Sequence, residues 1–269
     1  MFTYIDPSVR ERLIGAGKLI RIDRNGRAVS ADATTDGGSI SILGPIPLPL
    51  AFAEKRYDVQ WYACVRNTEL AKIEEIAEHL RAEKAQESFA TLASSMAVNS
   101  VLIIGDRDKW TNPLVRVHSS CLTGDVFGSE RCECGPQLHS AVELINAEAQ
   151  GGMVVYMSGH EGRGIGLWAK AATYLLQDGG EDTYEANRSL GLPDDSRDFS
   201  DAATLLKYFC GDRPSRLLTN NPKKIQDLTA AGIKDITAVK HVFGVTDSNK
   251  RYLSAKRDWG HQLEDEDIR

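Results

Sequence analysis

Nowhere does this 269-residue chain approach the ~20 consecutive apolar residues that a membrane-spanning helix requires. Its opening, Met1-Phe2-Thr3-Tyr4-Ile5-Asp6-Pro7, lacks the basic and then apolar segments of a secretory signal. Both absences fit a cytoplasmic location and argue against a membrane partner. Cations are not in excess: 32 Lys and Arg stand against 38 Asp and Glu, a formal net charge of −6. There is no global basic footprint for nucleic acid, so an anionic ligand must be captured by local cations. Cysteine is scarce and odd in number, five in all, which suits reduced thiols better than a disulfide framework. No internal repeat or low-complexity tract is present. The acidic tail, Leu263 to Arg269, reads as a solvated end.

What is present is a balanced composition, 42% hydrophobic and 26% charged, as expected of a globular protein. Residues 1–98 read as an N-terminal extension and 99–269 as a catalytic domain. Pro7 to Ile14 predicts a short helix stopped at Gly15. Gly15-Ala16-Gly17-Lys18 hints at a phosphate loop, but Arg12 and Leu19 break the required pattern. Gly44 to Leu50, with three prolines, reads as a stiff extended link. Asp58–Val65 predicts a strand, and residues 68–85 an amphipathic helix with Leu70, Ile73, Ile76, Ala77 and Leu80 on one face. From residue 100 the pattern alternates. Strands are expected at 100–104, 114–118, 153–157 and 216–219, with helices at 137–148, 165–178 and 201–210, Ser200 capping the last. A further helix starts after Asn221-Pro222. This is an α/β arrangement, a mixed sheet core with flanking helices. Cys64 and Cys210 read as ordinary buried residues.

Three clusters carry chemistry. Cys121, Cys132 and Cys134 follow a C-x10-C-x-C spacing, unlike the paired knuckles of a zinc finger. Three thiolates hold a zinc ion and leave its fourth tetrahedral position free, the mark of a catalytic centre. The competing reading, three small buried hydrophobes, is opposed by polar, Gly-rich surroundings. The second cluster is His160-Glu161-Gly162-Arg163-Gly164-Ile165-Gly166, placed between a strand and a helix, where glycines admit a ligand close to the backbone. Gly164-x-Gly166-x-x-Ala169 also fits a dinucleotide fingerprint. That reading needs an acid at the end of a second strand about twenty residues on, and Glu185 is not so placed. The third cluster joins Asp195 and Arg197, two apart, to Thr219-Asn220-Asn221-Pro222-Lys223-Lys224, a hydroxyl and cations at a strand-to-helix junction. Taken separately, each of these is as readily a surface ion pair or a capped helix as a site.

In order along the chain, Arg116-Val117-His118-Ser119, Cys121-Leu122-Thr123-Gly124-Asp125, Arg131-Cys132-x-Cys134-Gly135, Gly159 to Leu167, Tyr174, Leu176-Gln177-Asp178, Asp182-Thr183, Glu185-Ala186-Asn187, Asp195-x-Arg197 and Leu218 to Lys224 resemble the GTP cyclohydrolase II family of riboflavin synthesis. The resemblance covers about residues 100–230. It implies a homodimer with one zinc per subunit, on Cys121, Cys132 and Cys134, and magnesium carried by the nucleotide phosphates. Metal-activated water would open the imidazole ring of GTP at C8, releasing formate and pyrophosphate. Glu161 corresponds to the carboxylate that accepts from guanine N1–H and the 2-amino group. Arg116, Val117, His118, Ser119, Gln137, Gly162, Arg163, Thr183, Thr219 and Lys224 correspond to the other nucleotide contacts. Arg197 matches the residue proposed to attack the α-phosphorus, Asp195 its proton acceptor, and Tyr174 the tyrosine that orients or protonates the opening ring. Four positions depart from the family pattern: Ser120 for a Glu, Ser158 and Ala172 for two arginines, and Glu130 for a small or apolar residue. The N-terminal extension lacks a counterpart in the short bacterial enzymes. Two alternatives accompany the resemblance, a related enzyme opening another base, such as that of a uracil nucleotide, and a non-catalytic nucleotide-binding paralogue.

Overall fold

In Met153, Val154 and Val155 the chain places three apolar residues in succession, all fully buried, which is what a parallel strand covered on both faces requires. The computed structural model describes residues 5–30, 37–52, 54–72 and 97–268. The described strands are β1 (Leu19–Ile22), β2 (Ala28–Val29), β3 (Ile40–Phe52), β4 (Lys55–Arg66), β5 (Asn99–Ile104), β6 (Leu114–Ser119), β7 (Gly152–Met157), β8 (Ser215–Leu218) and β9 (Ile236–Val239). They form one sheet in the order β2-β1-β3-β4-β5-β7-β6-β8-β9. Pairing is antiparallel from β2 through to β7 and parallel among β7, β6, β8 and β9.

The flanking helices are α1 (Pro7–Gly15), α2 (Cys134–Ala147), α3 (Leu167–Asp178), α4 (Thr183–Ser189), α5 (Ser200–Cys210), α6 (Pro222–Ala230) and α7 (Lys250–Asp258). Side chains alternate across a strand, and the sheet uses that alternation to fill two apolar clusters. Ile103, Val155 and Leu217 join Leu205, Phe209 and Leu228 on one face. Ile104, Val154 and Leu218 join Ala141, Val142 and Ile145 of α2 on the other. The protein is thus a mixed sheet between helical layers, as the alternating pattern predicts.

Three expectations need correction. The proline-rich stretch 44–50 is not a link but the middle of β3. Its partner β1 reaches only Leu43, so beyond that point, among the described residues, β3 is bonded on one side, to β4. A proline cannot donate to a ladder but is tolerated on such an edge, and Pro47 and Pro49, two apart, direct their missing donors to the same side. Asp182 accepts from the amides of Tyr184 and Glu185, while Glu185 accepts from the Asp182 amide, a capping box that starts α4. Ser200 is the first residue of α5, not its cap; Asp198 accepts from its amide at 2.9 Å. The acidic tail is not a free end, because Leu263 and Ile268 are buried together with Leu253. Of the helix expected at 68–85, residues 67–72 are helical and 73–85 lie outside the described residues.

Candidate active site

Strands β6, β7 and β8 are parallel, so the chain leaves all three at the same edge of the sheet. Ligands of such sheets bind outside the carboxyl ends of the strands. Here the loops after Ser119, Met157 and Leu218 line one pocket that contains Arg116, Cys121, Cys132, Cys134, Glu161 and Lys224.

The three cysteines meet because two short turns bring them back to one point. Cys121 directly follows β6 and is held by Asp125, which accepts from the Cys121 amide at 3.0 Å, from Tyr156 Oη at 3.0 Å and contacts His118 Nε2 at 3.1 Å. Cys132 and Cys134 lie at the entry to α2. All three sulfurs lie within 4.8 Å of one another, and the group includes no His, Asp or Glu among the described residues. Zinc–sulfur bonds of about 2.3 Å at tetrahedral angles place sulfurs about 3.8 Å apart. Cys121 Sγ and Cys132 Sγ stand at 3.6 Å. Gly124 leaves the space: a Cβ there would lie 3.0 Å from Cys132 Sγ and 3.2 Å from Cys121 Sγ. The donor set and its spacing therefore fit a zinc ion. Without a metal the thiols ionise unequally. Cys121 is driven far down by hydrogen bonds from Cys132 and Cys134, helped by Lys170. Cys132 is pushed up to about 11, and Cys134 upward too, first by the bond each shares with Cys121.

Beside the sulfurs stands Glu161, delivered by the loop after β7. Gly162 (φ 59°) and Arg163 (φ 61°) both take the left-handed conformation, which is rare for a residue with a side chain and concentrates at functional sites. Glu161 Oε2 accepts from the Leu122 amide at 2.7 Å, and Oε1 accepts from Lys170 Nζ at 2.7 Å. Lys170 also reaches Cys121 Sγ at 3.1 Å and Thr123 Oγ1 at 3.0 Å. Its ammonium is held strongly protonated: burial opposes the charge but Glu161 and Cys121 outweigh it. Tyr174, one turn further along α3, contacts Thr123 Oγ1 at 3.1 Å and lies under the Arg131 guanidinium.

The opposite wall is cationic. Arg116 donates to the Leu218 carbonyl at 2.8 Å and to Gln137 Oε1 at 2.7 Å, while its buried Nε has no partner. Lys224 is buried and donates to the Val117 carbonyl at 2.8 Å. Burial, then the neighbouring Arg116, Arg197 and Lys256, hold its pKa well below that of a free lysine. Arg163 packs on the Tyr184 ring at 3.9 Å, with its NH2 atom buried and unpartnered. Asp195 binds Arg197 at two nitrogens, at 2.9 and 2.6 Å, leaving NH1 3.4 Å from Ser119 Oγ. Burial tends to raise the Asp195 pKa, but Arg197 prevails and lowers it. His160 contacts Ser119 Oγ at 3.2 Å, and burial depresses its pKa to about 4. Thr183 and Thr219 complete this wall.

Most of the residues singled out from sequence therefore face one cavity. Two do not line it: Val117 contributes a carbonyl to Lys224, and Asp195 acts through Arg197. His118 is committed to Asp125. Glu185, the acid a dinucleotide site would use, caps α4 instead. Sequence reading missed Lys170, although it stands four residues before Tyr174, the spacing that puts two side chains on one helix face. It also missed Lys256, Tyr252 and His261, which come from the C-terminal segment and belong to no motif.

Comparison with known proteins gives a consistent result. The GTP cyclohydrolase II family profile matches residues 80–240. The riboflavin biosynthesis protein RibBA of Nocardia farcinica is 51% identical over 163 residues, 60% of this chain and 39% of that protein. The RibBA of Mycobacteroides abscessus is 54% identical over 155 residues, 57% of this chain and 37% of its own length. That of Salinispora arenicola is 48% identical over 173 residues, 64% of this chain and 41% of its own. The matched part spans about two fifths of the length of these curated relatives.

Proposed function

Because the chain belongs to the GTP cyclohydrolase II family, we propose that it opens the imidazole ring of GTP, releasing formate and pyrophosphate and leaving a ribosylated diaminopyrimidinone phosphate. One observation carries this reading: three sulfurs in metal-binding geometry share a pocket with a partly buried carboxylate on one side and a wall of cations on the other. A zinc ion on Cys121, Cys132 and Cys134 would supply Lewis acidity near neutral pH.

The remaining work falls to the chain's own groups. Glu161 presents acceptors to a base edge that carries two adjacent N–H donors, a pairing a carboxylate suits. Lys170 keeps that carboxylate oriented. Arg116, Arg163 and Lys224, with Thr183, Thr219 and Gln137, are disposed to hold phosphate oxygens, for which guanidinium groups give two-point contacts. Arg197 is fixed by Asp195, with NH1 toward the cavity, which supports a role in stabilising charge on the α-phosphoryl group as water displaces pyrophosphate from it. Tyr174 is placed to orient or protonate the ring as it opens. Magnesium on the phosphates, a catalytic unit at 99–269, a homodimeric state and a cytoplasmic location belong to the same proposal. No helix among the described residues is long and apolar enough to cross a membrane.

The test is incubation of the purified protein with zinc, magnesium and GTP, following formate and the ultraviolet change of the opened purine. Formate in step with GTP loss is the expected result. Turnover of a uracil nucleotide and none of GTP would transfer the assignment to the related-enzyme alternative.

A further inference from the structure

Residues 241–268 lie beyond the family match, yet they supply Phe243, Tyr252, Lys256, His261 and Leu263 to the wall of the pocket. The segment has an apolar cluster of its own, Leu253, Leu263 and Ile268 with Val242 and Val245, separate from the two clusters of the sheet. Its attachments to the rest of the site are polar or aromatic and begin at His241, which is fully buried, exchanges hydrogen bonds with Asn220 at 2.8 and 2.6 Å and contacts Ser140 Oγ at 2.8 Å. Trp259 stacks on Tyr184 at 4.2 Å, Arg251 donates to the Glu181 carbonyl at 3.3 Å, and the Gln262 amide donates to the Asn220 carbonyl at 2.8 Å. None of its residues enters either sheet cluster, so the part beyond the His241 anchor can shift and leave both cores closed. Within it, Lys256 is mostly buried and pairs with Glu133, the residue between two of the cysteines. The second oxygen of Glu133 is buried without a partner among the described residues.

The charges around Lys256 are unbalanced. Arg116 and Lys224 spend their donors on uncharged oxygens, and Arg197 and Lys256 have one carboxylate each. Lys256, Arg163, Arg197 and Lys224 all line the same pocket, beside His261, whose pKa is held down to about 3 by burial first and then by these cations. Buried like charges repel in a low-dielectric site, and a multivalent anion placed among them relieves that repulsion.

We propose that the C-terminal segment 241–268 is a strap that closes the nucleotide site, and that Lys256 on it binds the substrate's polyphosphate alongside Arg163, Arg197 and Lys224. This rests on the nucleotide reading of the pocket and adds a phosphate-binding residue to it. Bound polyphosphate would link the strap to the sheet, with one set of oxygens held from both sides, whereas a ligand without phosphates would leave the strap unattached.

The test separates phosphate from base. Calorimetry on the full chain measures inorganic tripolyphosphate and guanosine separately. Lys256→Gln should weaken tripolyphosphate about tenfold and leave guanosine unchanged, while Lys256→Arg, which keeps the charge, should restore most of the affinity. Hydrogen–deuterium exchange of the unaltered protein supplies a measurement that needs no variant: tripolyphosphate should slow exchange of the amides at 250–258, and guanosine should not. Equal loss of both ligands in Lys256→Gln, or the same protection by guanosine, would reduce the segment to a structural element and overturn the proposal. Neither readout needs turnover, so absence of formate from GTP would count against the function and not against the strap.

Discussion

The two halves of the sheet are built from similar apolar residues, yet only one of them holds the site. In the antiparallel half, β1 to β5, successive strands run in opposite directions and their ends alternate between two edges of the sheet. Successive loops there do not gather at one edge, and a charged pair such as Arg56–Asp58 stays exposed, with 73% and 84% of its side chains accessible, although Arg66 of β4 reaches the buried Asp201 at 2.7 Å. In the parallel half every strand ends on the same side, so three loops distant in sequence meet over one pocket. There charges are buried and shifted: Lys224 downward, Lys170 upward, His160 to about 4. Strand direction, more than composition, decides where chemistry can be assembled.

The contrast can be broken most severely at the sulfurs. Cys132→Ser should weaken zinc binding by at least about 100-fold and abolish ring opening, measured as metal content after gel filtration and as formate release. Activity that survives loss of the metal would remove the hydrolytic mechanism.

A second effect should reach across both halves. Phe209 of α5 is fully buried, meets the Tyr62 ring of β4 edge-on at 4.9 Å, and shares a cluster with Val155 and Leu217 of the parallel half. Phe209→Ala should cost about 3–5 kcal/mol in urea denaturation, still as a single transition. Two resolved transitions would show that the halves fold separately.

A smaller effect should appear only in acid. Burial holds His160 at about 4, below the ~6.5 of a free imidazole. Between those values the unfolded chain binds more protons, so the stability is fully present above about pH 6.5 and is lost as pH falls toward 4. His118 and His241, also lowered by burial and also in the parallel half, act in the same direction. His160→Gln should flatten this acid-side slope in thermal melts; an unchanged slope would mean that the imidazole is not kept neutral. Least of all, Arg56→Ala in the antiparallel half should change stability by less than about 0.5 kcal/mol, as chemical denaturation would show.

What the sequence made legible follows the same division. The parallel strands were readable because double-sided burial demands unbroken apolar runs, as in Met153–Val155. The cysteine cluster was readable because few side chains bind zinc. The edge portion of β3 is hard to read because Pro47 and Pro49 normally argue against a strand, and they are tolerated where, among the described residues, no second strand pairs with β3 beyond Leu43. The start of α4 had a readable signal in Asp182 and Glu185, three apart, that the surrounding polar residues obscured. Lys170 and Lys256 were missed for different reasons. A lysine on a helix is ordinarily a solvated charge, and only tertiary packing puts these two against Glu161 and Glu133. Which cation is buried depends on contacts between segments far apart in the chain, and no local pattern records them.

The prolines of β3 also bear on how the molecule meets its neighbours. A bare strand edge ordinarily offers a template on which another polypeptide can add, strand by strand. At positions 47 and 49, where no second strand among the described residues pairs with β3, the prolines have no hydrogen to give, so an incoming chain would find successive rungs missing. Self-association should therefore proceed through helical faces and loops, not through growth of the sheet at that margin.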